Sequence, residues 1–396
     1  MWGYEGSSGD VDWSWDYHRM INTFRKYPKV AGWLYTEHHD VINEWNGYWR
    51  FDRSEKETGI DEIFPGMSLN DLHSNIYIST GMDISRSVKG GEQVEVPLYL
   101  SIYSGEDHGQ ELTIEYTLST TNYIGETEKN LSGSFQTPYK PWRQEVLNPL
   151  KLAIPDIDGI ALLQLSVKNG KGTILNRNFM HFIIDTDTKL EDIDVIDVEA
   201  KDFAKATWSK KQWNVMEGKK VNGAGKGSFE YEFEIPKDIK MGGIKEGYFL
   251  VEASAKELFV KDMEEYNQDQ NFMLGSQVAN SSNPNSYPMS DETMFPSKIN
   301  VSVNGVKAHS TTLPDDPADH RGVLSWHNQL EDGKLREAGS YGYLVKVPIS
   351  KEVLKNARKN QSKIKITLST SGEGGIAIYG EDFGRYKLNP EIVITR

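Results

Sequence analysis

From Val94 onward the chain returns again and again to one rhythm, apolar and polar side chains in alternation. Val94, Val96, Leu98, Leu100 and Ile102 interleave with Glu95, Pro97, Tyr99 and Ser101. Leu112, Ile114, Tyr116 and Leu118 repeat it, as do Leu163, Leu165 and Val167. Later, Phe229, Tyr231, Phe233 and Ile235 alternate with Glu230, Glu232 and Glu234. Successive side chains of a strand point to opposite faces, so a period of two puts one face in a core and the other in water. Short half-buried strands with turn residues between them predict antiparallel sandwiches. Asn304-Gly305, between two such runs, predicts a tight hairpin. The expected fold class is therefore mainly β.

The first residues read differently. In WSWDYHRMINTFRK, Tyr17, Met20, Ile21 and Phe24 recur at helical spacing, which predicts a helix with one buried stripe. Ser14 fits an N-cap, Asp16 favours the positive helix end, and Pro28 ends the run. VAGWLY (30–35) follows as a continuous apolar run, the pattern of a strand covered on both faces. Helix, short loop and buried strand is the rhythm of an α/β barrel.

The chain has 396 residues, enough for two or three domains. Periodicity divides it into 1–66, 67–187 and 188–396, with TDTKLEDIDVID as a charged connector and QVANSSNPNSYP (277–288) as a long surface loop. No repeat of solenoid length is evident. Acidic residues outnumber basic ones, 58 to 44, for a net charge of -14, which argues against nucleic-acid and anionic-membrane partners. The absence of cysteine excludes disulfides, Cys-based zinc sites and cysteine nucleophiles. The opening MWGYEGSSGD lacks the basic-then-apolar order of a signal peptide, and no apolar run is long enough to span a bilayer. Ten tryptophans suit either stacking on sugar rings or the cores of large β proteins.

The segment AGWLYTEHHDVINEWNGYWRFDRSEK (31–56) crowds polar and aromatic groups at and after the expected strand's C-terminal end, the face on which barrel active sites lie. Glu37 and Asp40 could form the carboxylate pair that sugar hydrolysis needs. His38 and His39, as successive strand residues, point to opposite faces, so no metal site is expected. Asp52-Arg53 reads as a structural ion pair.

In order along this segment stand Gly32-Trp33, Tyr35-Thr36-Glu37, Asp40-Val41, Glu44-Trp45-Asn46-Gly47 and Asp52-Arg53-Ser54-Glu55-Lys56. This run resembles the last strand and following loop of the catalytic barrel in glycoside hydrolase family two, which contains β-galactosidases, β-glucuronidases and β-mannosidases. GGIAIYGEDFGRYKLNPEIVI (374–394) resembles the closing strands of an accessory sandwich at the C-terminus of many bacterial members. The resemblance implies a barrel remnant of one helix and one strand (1–66), an immunoglobulin-like sandwich (67–187) and a galactose-binding-like jelly roll (188–396). It places Trp33, Glu37, His38, Asp40, Glu44 and Asn46 at or near a sugar subsite. Trp33 equally fits the barrel wall, and Asp40 a loop cap.

The resemblance also implies a retaining hydrolase with two glutamates, one in an Asn-Glu pair and one followed by an aromatic residue and glycines. Neither pattern precedes residue 31; Asn43-Glu44 lies in the loop after the last strand, and Glu5 in Gly-Tyr-Glu-Gly is the single upstream candidate nucleophile. A barrel takes about 250 residues. The expectation is a fragment, truncated after the seventh barrel strand and inactive alone, from a periplasmic or secreted β-glycosidase. No cofactor is expected. A lone strand has no sheet to bury it, so Trp33, Leu34 and Tyr35 should lack partners unless this region docks on the sandwich or on another chain. The alternative is a carbohydrate-binding module whose third region reads polysaccharide through Trp208, Trp213, His320, Arg321, Trp326, His327 and Asn328. Those residues could instead pack a domain contact.

Overall fold

A computed structural model of the chain describes residues 14–39, 47–49, 53, 60–256, 296–313, 342–381 and 383–396. Within them the protein is mainly β. The alternating runs become two stacked pairs of sheets.

The first pair sets a three-stranded sheet, β1 (Ile76–Ser79), β3 (Gln93–Ile102) and β6 (Arg143–Ala153), against a five-stranded one. The latter runs β2 (Ser85–Lys89), β8 (Ile174–Asp185), β7 (Gly159–Lys168), β4 (Glu111–Asn122) and β5 (Thr127–Pro138). The alternating residues of β3 and β4 meet in its core with Met180, Phe182 and Ile184. Every ladder is antiparallel except β2 on β8. The chain leaves one sheet at β1 and joins the other at β2. Asn176 and Asn178 of β8 bridge that gap by bonding the backbone N–H and C=O of Ile78.

The second pair holds a five-stranded sheet, β10 (Lys205–Trp208), β13 (Gly227–Phe233), β18 (Ile364–Thr370), β15 (Ser297–Val303) and β16 (Val306–Leu313). Against it lies a seven-stranded sheet of β11 (Lys211–Val215), β12 (Lys220–Ala224), β19 (Ile376–Tyr379), β14 (Glu246–Ser254), β20 (Glu391–Thr395) and β9 (Ile193–Asp197), with β17 (Tyr343–Pro348) also on β14. Phe229, Tyr231 and Phe233 enter its core, as their period required. The turn expected at Asn304-Gly305 joins β15 to β16, with φ of 51° and 78° at those residues, the left-handed pair of a type I′ hairpin.

The N-terminal helix forms as α1 (Ser14–Lys26). Its buried stripe is the expected one in part, with Phe24 packed beside Tyr17 and Ile21. Tyr17 and Ile21 are buried, but Met20 is 38% exposed, and His18, Asn22 and Arg25 (2% exposed) face inward instead. The reason is the surface that receives it. The outer face of the first sandwich is polar there, so the helix turns its polar residues down to satisfy it. Asn22 accepts from Tyr77 Oη (3.0 Å) and Asn178 Nδ2 (2.8 Å), Ser79 Oγ donates to the Asn22 carbonyl (2.7 Å), and His18 Nε2 lies 2.6 Å from Asn178 Oδ1.

The strand expected at 30–35 does not form. These residues belong to no ladder, and Leu34 is 92% exposed. A parallel strand needs neighbours to accept its hydrogen bonds, and none stands beside it among the described residues. Docking on the sandwich supplies partners to Trp33 and Tyr35 but not to Leu34. Trp33 and Tyr35 pack with Tyr17, Ile21, Tyr77, Leu162 and Phe179 in a satellite core between α1 and the sandwich. Two short helices complete that core, α2 (Ile60–Ile63) and α3 (Leu69–Leu72). Ser68 caps α3, and Asp71 accepts from the Arg177 amide (2.8 Å), fastening it to β8. The last helix, α4 (Lys351–Asn360), is capped by Ser350 and buries Leu354 and Ala357 against the second sandwich.

Candidate functional site

Of the described residues in the segment 31–56, Trp33, Tyr35 and Tyr48 converge on one aromatic centre. Its hub is the Tyr17 hydroxyl, 2.6 Å from Tyr48 Oη and 3.1 Å from His73 Nε2, while Trp33 Nε1 donates to it over 3.3 Å. Tyr35 and Tyr48 rings lie 4.3 Å apart, and Tyr48 meets His73 edge-on at 5.0 Å. Beneath them Arg25 is caged by three rings, with its guanidinium carbon 4.8 Å from Trp33, 5.2 Å from Tyr77 and 4.4 Å from Tyr103. It donates to Ser101 Oγ (2.9 Å) and to the Ser74 carbonyl, and the Arg25 carbonyl receives Gln144. Helix spacing explains the cage: Tyr17, Ile21 and Arg25 are each four apart and share one face.

Electrostatics follow burial. Desolvation pushes the Tyr17 and Tyr48 hydroxyls up, so both stay protonated. Burial, and then the Arg25 charge, hold the His73 imidazole below its ordinary range, so it is neutral at neutral pH. The described groups named here stack and exchange hydrogen bonds, and none of those named is a carboxylate.

Glu37 is half-buried and His38 exposed, its ring 5.7 Å from that of His39 and turned 77° to it. His39 Nε2 lies 3.5 Å from Arg53. Among the described residues no three His, Asp or Glu side chains converge as a metal site requires. Glu5, Asp40, Glu44, Asn46, Asp52, His320, Arg321, Trp326, His327 and Asn328 lie outside the described residues. Trp208 rests on the second core, 5.0 Å from Phe229, over Gly223. Trp213 lies across β11, with Lys211 Nζ 5.6 Å from its ring.

A second perturbed centre lies where the two sandwiches meet. Glu252 on β14 is fully buried, and its carboxylate accepts three backbone N–H groups: Gly342 (2.6 Å), Arg385 (2.9 Å) and Tyr386 (2.9 Å). Burial pushes its carboxyl up to about 7 against the pull of those donors. A Cβ on Gly384 would sit 2.1 Å from Glu252 Oε2, so glycine is required for the carboxylate's approach. Sequence reasoning missed Arg25, Tyr48, His73, Glu252 and Arg385. Only Arg25 left a signal, a cation four residues after Ile21 on a face that must be buried.

No family model matches the chain, and no curated protein matches it. Some solved structures share limited similarity. The alkylpurine DNA glycosylase AlkC of Pseudomonas fluorescens, bound to DNA containing an abasic site analog, is 14% identical over 28% of this chain and 31% of its own, with a TM-score of 0.21. The N-terminal CBM22-1-CBM22-2 tandem domain of Paenibacillus barcinonensis Xyn10C is 11% identical over 78% and 79%, at 0.23. The Parabacteroides merdae beta-glucuronidase with glycerol in its active site is 14% identical over 26% and 12%, at 0.17. The chain thus spans less than a third of the first of these structures. Overlap this loose carries no functional weight.

Proposed function

We propose that the chain is an accessory C-terminal part of a retaining glycoside hydrolase of family two, acting on β-glycosides in the periplasm or outside a bacterium. The observation that carries this reading is the ordered resemblance from Gly32 to Lys56, followed directly by β-sandwiches. Strand order adds support. The sheet β1-β3-β6 facing β2-β8-β7-β4-β5, with β2 parallel to β8, suits an immunoglobulin-like sandwich at 67–187. The two larger sheets beyond it suit a galactose-binding-like jelly roll at 188–396.

On this reading residues 1–66 belong to the end of a barrel, and the bond-breaking glutamates lie outside the sequence. Retaining chemistry sets two carboxyl groups about 5–5.5 Å apart; the described residues at the Tyr17 hub supply rings, hydroxyls and an imidazole instead. Trp33, Glu37 and His38, with Asp40, Glu44 and Asn46, then border a sugar subsite completed by other residues. The chain by itself should not turn over nitrophenyl β-glycosides. Turnover abolished by Glu5→Gln would overturn this, and so would upstream coding DNA that holds a stop and no barrel-like sequence.

A further inference from the structure

The junction of the two sandwiches leaves a cleft of about 350 Å³. Clefts of a few hundred Å³ at domain junctions are where small ligands bind. One wall comes from β4, with Ser119 and Thr121 over Ile160; the other is Tyr343 of β17 with Arg385 and Tyr386. The walls are held from both sides. Glu252 fixes the backbone of Arg385 and Tyr386, while Lys387 next to them is clamped by Asp158 (2.6 Å) and Asp185 of the first sandwich. Tyr248 Oη donates to the Ile124 carbonyl across the junction (3.1 Å), and Leu250, Leu388 and Val393 close an apolar cluster with Ile124. Such a cleft is formed before any ligand arrives.

Its cation lies in the field of the buried Glu252 carboxylate but is not hydrogen-bonded to it through the side chain. Arg385 Nε is buried without an acceptor, and no side-chain hydrogen bond or ion pair of this guanidinium occurs among the described residues; the Tyr386 ring lies 5.2 Å from its guanidinium carbon, and its charge also acts on the Glu252 carboxylate. The fork of a guanidinium matches a carboxylate bidentately. Around it stand two phenol rings, suited to the C–H face of a sugar, and hydroxyls suited to its hydroxyl groups. We propose that this cleft binds a uronic-acid residue of an oligosaccharide, its carboxylate on Arg385 and its ring against Tyr343 or Tyr386. The choice of a sugar rests on the carbohydrate reading above; the anionic group rests on Arg385 alone.

Titration calorimetry of the full chain with tetragalacturonate tests it, with cellotetraose and citrate as parallel probes. Tetragalacturonate should bind, and cellotetraose and citrate should each bind roughly ten-fold more weakly or worse, since a charged hydrogen-bonded pair commonly contributes that much. Arg385→Met should lose the tetragalacturonate affinity by about ten-fold or more with an unchanged melting temperature. If that variant melts early, Arg385→Lys, which keeps the charge but not the fork, should still weaken binding. Absence of binding, equal binding by citrate, or full affinity in a folded Arg385 variant overturns the proposal. None of these results bears on the upstream barrel glutamates, whose absence would instead sink the glycosidase reading.

Discussion

Glu391 shows how one buried carboxyl couples stability to pH. It is 3% exposed, its Oε1 has no hydrogen-bond partner, and it stands directly opposite Asp197 across the β20–β9 ladder. Burial, then the nearby Asp197 and Glu381 charges, push it up to about 9. A folded value above the unfolded one means stability fully present at pH below the ordinary carboxyl range and lost as pH rises toward 9. Melting temperature should therefore fall across that window. Glu391→Gln should melt several degrees above the parent at pH 9 and level with it near pH 4, because ~1 kcal/mol moves the midpoint by about 2–4 °C at this size. Parallel curves across the range would refute the assignment. Asn178 makes the complementary case, satisfied on every side by His18, Asn22, the Ile78 carbonyl and the Phe179 amide. Asn178→Ala strands several of these buried groups and should cost about 2–3 kcal/mol in a denaturant titration; a loss under about 0.5 kcal/mol would show that the network relaxes freely.

Among elements, α1 is the informative one, since its attachment to the sandwich passes through a neutral imidazole. Tyr17, Tyr48, Trp33 and the Arg25 charge all face His73. Its folded value is depressed, so the stability it contributes is present above the ordinary imidazole range and is lost as pH falls below it. Amide exchange in α1, corrected for intrinsic rates, should accelerate between pH 7 and pH 5 while β7 stays protected. His73→Gln should flatten that difference. An α1 whose protection ignores pH, or one lost together with β7, would contradict this account.

For the whole molecule the decisive contact is between sandwiches. Lys387 spans it to reach Asp158 and Asp185, beside the cluster of Ile124, Tyr248 and Leu250. Lys387→Met leaves two neighbouring carboxylates uncompensated and should weaken the junction by about 1–2 kcal/mol after allowance for the exposure of Asp185. Scanning calorimetry should then show two separating transitions, one per sandwich. A single unshifted peak would mean that apolar contacts alone couple them.

Local chemistry wrote much of this architecture into the sequence. Alternation at 94–102, 112–118 and 229–235 fixed which side chains enter a core, because period two is a property of the strand itself. Asn304-Gly305 fixed a hairpin because few other residues accept two positive φ angles in a row. Spacing likewise announced a helix from Ser14. What spacing left open is which face of that helix would be covered, and the polar roof of the first sandwich chose His18, Asn22 and Arg25 over Met20. The apolar run 30–35 had strand composition but found no ladder, since a strand exists only by virtue of its neighbours. The cleft that joins Thr121 to Tyr343 and Arg385 is the extreme case. Those residues are remote along the chain, so only the docking of one sandwich on the other, a sum of long-range contacts with no local signature, could bring them together.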